Sequence, residues 1–164
     1  MKMETKIKIR RVFGVLILIG WVFIFFLAPT LQEDLPALRD QVRMLENAYS
    51  SLDQVKYRSA HGEFQVDICV GNLDEGAVIK EELKTFLASE AFLSEFLPWA
   101  EEQMGWGEST FGEVPPYPDI SIYCTLKGET EPQWQTTAMY YTEPYRSDRV
   151  LEVDGYQTWE DTYY

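Results

Sequence analysis

Residues able to do chemistry are scarce in this chain. The single histidine, His61, stands in the run His61-Gly62-Glu63. A His-x-Glu pair serves zinc deaminases, but only beside a Pro-Cys-x-x-Cys that this sequence lacks, so a catalytic zinc is not expected. No Gly-x-Ser-x-Gly elbow is present to raise a serine nucleophile, and no glycine pattern to cradle phosphate. Carboxylate neighbours such as Glu101 with Glu102 and Glu160 with Asp161 suit acid–base work on a glycosidic bond in principle. In a chain with 27 acidic residues, such pairs arise by composition alone. Asp148, Asp154 and Asp161 lack the spacing of a calcium loop. The expectation is therefore a protein without catalytic residues, metal or cofactor.

Aromatic residues are the remaining chemical signal. A stretch rich in Gly and Pro, residues 105–118, carries Trp106, Phe111 and Tyr117, and Tyr123 follows in the next segment. Aromatic rings beside carboxylates are what a surface for sugar or peptide uses. These four residues are the candidate binding site. The two cysteines, Cys69 and Cys124, are too few for a disulfide scaffold. Alternation along their strands puts Cys69 on the outer face and Cys124 in the core, which predicts two free thiols.

The elements that position these residues follow from periodicity. Leu35, Leu38, Val42, Leu45, Tyr49 and Leu52 recur at three- and four-residue steps, predicting an amphipathic helix over 34–55. Residues 64–70, FQVDICV, alternate as a strand with Phe64, Val66, Ile68 and Val70 inward. Asn72 to Asp74 caps a second helix that runs from Glu75 with a break near Ser94–Leu97, because Pro98 suits only a helix start. Three strands then read as a meander over 119–126, 133–142 and 149–153. The fold class expected is α+β, with two helices packed on one face of a four-stranded, largely antiparallel sheet.

Upstream lies KIKIRRVFGVLILIGWVFIFFLAP, residues 6–29. The uncharged run Val12–Ala28 would span roughly 26 Å as a helix, and its thirteen Val, Leu, Ile and Phe residues favour insertion by about 4 to 8 kcal/mol. Bulky Phe26 disfavours cleavage after Ala28, so the segment reads as a retained anchor rather than a removed signal. Residues 1–11 hold five basic and one acidic side chain, net +4, while nine basic and twenty-six acidic side chains follow, net −17. Positive charge stays inside, which predicts a basic cytoplasmic tail (1–11), a transmembrane helix (12–28), a short linker (29–33) and an extracytoplasmic domain (34–164) at the cell membrane. So acidic a domain is not expected to bind nucleic acid. The layout of membrane segment, amphipathic helix and meander sheet resembles that of a type IV pilin. The apolar run holds no Glu, however, no Gly-Phe-Thr-Leu cleavage site begins it, and Pro29 and Pro36 interrupt a continuous stalk.

The functional expectation is a single-pass, membrane-anchored binding or accessory module, monomeric outside the membrane, with a protein or carbohydrate partner. The alternative is a secreted or surface-tethered hydrolase of cell-envelope polysaccharide. That alternative needs two carboxyls about 5 to 10 Å apart in a cleft lined by Trp106 or Tyr123.

Overall fold

A computed structural model describes residues 35–60, 62–104, 117–144 and 150–164, all within the unit Gln32–Tyr164. Helix α1 covers Pro36–Ala48, and strands β1 (Leu52–Ala60) and β2 (Glu63–Val70) follow as an antiparallel hairpin. Helices α2 (Leu73–Leu87) and α3 (Glu90–Met104) then carry the chain to β3 (Asp119–Leu126), which lies parallel to β2. Strands β4 (Pro132–Ala138) and β5 (Trp159–Tyr163) complete the sheet in antiparallel fashion. Sheet order equals chain order, β1 to β5.

Each element follows from its residues. Asn72 takes an extended conformation and its side chain accepts a 2.8 Å bond from the Asp74 N–H, so α2 starts where an Asx cap is available. The α2–α3 break falls at Ala88-Ser89, where the Ser89 hydroxyl accepts from the Phe92 N–H at 3.3 Å. Along β2 every second side chain is buried, Phe64, Val66, Ile68 and Val70. They meet Leu38, Val42 and Leu45 of α1, Ile79, Leu83 and Leu87 of α2, and Phe92 and Phe96 of α3 in one core. Phe64 is its aromatic hub, 5.0 Å from Phe96 and 5.6 Å from Trp99 by ring centroid. α2 approaches the sheet closely at Gly76, where a Cβ would lie 3.2 Å from Val70 and 3.3 Å from the Cys124 sulfur.

Several expectations need correction. The sheet has five strands and is mixed, and the described helices number three. The predicted first helix ends at Ala48 rather than Val55: Tyr49 and Leu52 continue the helical rhythm, yet Ser50-Ser51 turns the chain and Val55 and Tyr57 alternate inward along β1. Pro98 sits inside α3 instead of opening a helix, because the break comes nine residues earlier, at Ser89. The last strand is Trp159–Tyr163, and residues 150–153 supply only an isolated bridge from Val153 to Tyr141. The meander is confined to β3–β5, since the α2–α3 crossover makes β2 and β3 parallel.

The expectation of a single-pass membrane protein is also corrected: among the described residues no helix is long and apolar enough to cross a membrane. Residues 12–28, on which the spanning helix, its orientation and the cell-membrane location rested, lie outside the described residues.

Candidate functional site

With the helices on one face, the other face of the sheet is left to polar side chains. The register sets them in rows across the strands. Lys56, Asp67, Tyr123, Gln135 and Thr162 form one row; Arg58, Gln65, Ser121, Thr137 and Glu160 form the next. A solvated face is ordinary for antiparallel strands. This one is also internally bonded. The Ser121 and Thr137 hydroxyls lie 2.7 Å apart, and Gln135 Nε2 donates to Thr137 at 3.0 Å. Tyr164 OH donates to Gln135 Oε1 at 2.7 Å, and Gln65 Nε2 donates to Glu63 Oε2 at 2.7 Å. Tyr123 OH reaches Glu63 at 3.3 Å, and Arg58 Nε reaches Gln65 at 3.2 Å. Ser121 is fully buried even though it belongs to this face.

Two carboxyls here, Asp67 and Asp119, ionise reluctantly. Burial pushes Asp67 above the usual range, although Arg58 and Lys56 pull it down, and burial plus the charge of Glu63 raise Asp119. Burial and Glu63 likewise raise the Tyr123 phenol. Beside the Asp67 row is a shallow hollow of about 230 Å³, lined by Gln54, Lys56, Asp67, Ile68, Cys69 and Thr125.

Of the four candidate residues, Tyr123 lies on this face. Tyr117 does not join it. Its ring packs 4.5 Å from Tyr140, its hydroxyl donates to Glu101, and burial raises its phenol. Tyr140 in turn lies 5.4 Å from Tyr156 with the rings tilted by 60°, and Tyr156 closes the end of the core with its hydroxyl on the Pro118 carbonyl at 2.8 Å. Trp106 and Phe111 lie outside the described residues, as does His61.

The acidic pairs resolve into separate duties. Consecutive strand residues point to opposite faces, so Glu160 faces the open side while Asp161 turns toward α2. Asp161 accepts from Lys80 Nζ at 2.8 Å and sits 3.4 Å from Lys84 Nζ. Burial opposes its ionisation, but the Lys80 hydrogen bond and both lysine charges outweigh that and hold its carboxyl down at about 2. Lys80 is only 7% exposed, with its ammonium 5.0 Å from the Trp134 ring centroid. The partner of Lys80, Asp161 of β5, is 81 positions along the chain, so no local signal reveals it.

A hollow of about 190 Å³ does contain two carboxylates, Asp154 and Glu160, with Thr137, Met139, Tyr141, Thr142 and Thr158. Tyr123 does not line it, and Asp154 is occupied by the Thr158 N–H and hydroxyl at 2.9 and 2.8 Å. It falls below the roughly 300 Å³ of a small-molecule pocket. Among the described residues no group of three His, Cys, Asp or Glu is placed to hold a metal ion.

Comparison with protein-family models, curated proteins and solved structures finds no match. The functional argument therefore rests on the residues alone.

The cysteines occupy opposite faces as free thiols. Cys124 is buried under Gly76, and burial pushes its thiol up to about 12; Cys69 is half-buried beside the Asp67 hollow.

Proposed function

We propose that the chain is a binding module whose contact surface is the open face of the sheet around Tyr123. The observation that carries this reading is the bonded network Gln65–Glu63–Tyr123 and Ser121–Thr137–Gln135–Tyr164. Side chains already fixed by one another lose little entropy when a ligand docks, and they offer donors and acceptors in a defined pattern. A flat face of this kind suits a protein surface or an extended glycan better than a small molecule.

Arrays of glycans and of peptides probed with the full chain test the reading. A genuine ligand should be weakened at least tenfold by Tyr123→Ala with Gln135→Ala, and unaffected by Glu102→Gln on the helix layer. Equal binding by both variants would remove the open face from consideration.

A polysaccharide hydrolase is the second reading, and one feature favours it. Glu63 and Asp119 are register partners on the open face, and burial and Glu63 raise the Asp119 carboxyl, as a general acid requires. Hydrolysis of an oligosaccharide that disappears in Glu63→Gln and in Asp119→Asn would replace the binding reading.

A further inference from the structure

The sheet ends on one side at β1, a strand of nine residues whose only bonded neighbour among the described residues is β2. Its outer edge therefore presents backbone donors and acceptors that no described strand pairs, a template for another strand. On the open-face side β1 shows Gln54, Lys56 and Arg58, all exposed, with no carboxylate between them. Lys56 makes no ion pair among the described residues, and Arg58 makes one, with Asp67 at 3.7 Å. In a chain of net charge −13 this cationic edge is an exception. The opposite edge, β5, is five residues long and shows Glu160 on the same face.

We propose that β1 accepts an extended acidic peptide segment as a sixth strand, the main chain supplying hydrogen bonds and Lys56 and Arg58 selecting its carboxylates. This goes beyond the open-face reading, because the contact is the edge rather than the face. An added strand would lie about 4.8 Å from β1 and twice that from the carboxylates of β2, so its nearest open-face charges are the two cations, while Asp53 at the start of β1 is paired with Lys127. A second copy of the chain fits poorly. Antiparallel pairing of two β1 edges about Tyr57 sets Lys56 against Arg58 twice, and like charges directly opposite one another are destabilising. The charges thus guard the edge against self-pairing while leaving it attractive to an acidic partner.

The test uses the full chain at 0.15 M salt, where repulsion between the acidic domain and an acidic probe is screened beyond about 8 Å. The probe is a fluorescent ten-residue peptide of alternating glutamate and valine, read by anisotropy. Binding should exceed that of the lysine–valine peptide by at least tenfold. It should fall on the order of tenfold in Lys56→Glu with Arg58→Glu, as expected for two cross-strand charge pairs reversed. N-methylation of one alternate set of peptide residues should abolish binding while methylation of the other set leaves it, since only one set faces β1. Binding indifferent to N-methylation of either set, or equal for the lysine–valine peptide, would overturn the proposal. So would self-association of the full chain through β1, seen as a dimer or larger species that Lys56→Glu with Arg58→Glu alters.

Discussion

Asp161→Asn offers the sharpest check on how β5 is held. The carboxyl stands at about 2 in the folded chain, against an ordinary unfolded value of about 3.9, a gap worth roughly 2.6 kcal/mol if fully realised. Its side chain is 31% exposed, so solvent screening reduces the expected loss to about 1 to 1.5 kcal/mol at pH 7. Because the folded pKa is depressed, this stability is present above the unfolded value and is lost as pH falls through the folded one. The gap between wild type and Asp161→Asn should therefore be full above about pH 5, shrink between pH 4 and 2, and vanish below. Urea denaturation of the full chain at pH 7, 4 and 2, followed by Trp fluorescence, measures it. A midpoint unchanged at pH 7, or a gap as large at pH 2 as at pH 7, would refute the reasoning. Lys80→Met in the Asp161→Asn background should restore part of the loss, since it replaces an uncompensated buried cation beside Trp134 with an apolar chain.

Other outcomes follow from the packing. Tyr156 is fully buried at a positive φ of 60°, held by its ring and its hydroxyl; Tyr156→Phe should cost about 1 kcal/mol and Tyr156→Ala about 3 to 5, by thermal unfolding. Gly76→Val should destabilise by about 2 kcal/mol or more, because even its Cβ meets Val70 and Cys124 inside ordinary contact distance, and a rise in stability would show that α2 can move off the sheet. Under native, non-reducing conditions a maleimide at pH 7.5 should label Cys69 alone, with Cys124 reacting only in denaturant; two labels in the native state would contradict its burial.

The strands whose two faces differ most were legible in the sequence. β2 alternates cleanly, Asp119–Leu126 has the bounds expected of it, and the Asn72 cap is where an Asx residue stands before an apolar periodic run. Cys69 and Cys124 followed from the same alternation. What failed did so for local reasons. Tyr49 and Leu52 fit a helical stripe as well as they fit a turn and a strand, so β1 was hidden inside α1's pattern. β5 was missed because its inward positions are Trp159, Asp161 and Tyr163, and the charge at the middle is acceptable only with Lys80 and Lys84 beneath it. Tyr123 could be placed on a strand, but Gln135, Thr137 and Glu63 become its surroundings only through the pairing of β2 and β4 with β3.

The parallel contact between β2 and β3 has a consequence for the time course of folding. Glu63 pairs with Asp119, fifty-six residues on, whereas β1–β2 and β3–β4 are hairpins whose loops close locally. Hairpins of that kind form in about 1 to 10 μs, while long-range parallel pairing waits on the closure entropy of the whole α2–α3 excursion. The central seam of the sheet is thus the last to zip. Until it does, the half-apolar strands Val66–Val70 and Ile120–Cys124 each present a bare edge, so during refolding at high concentration the seam between β2 and β3 is where chains are expected to cross-pair and precipitate.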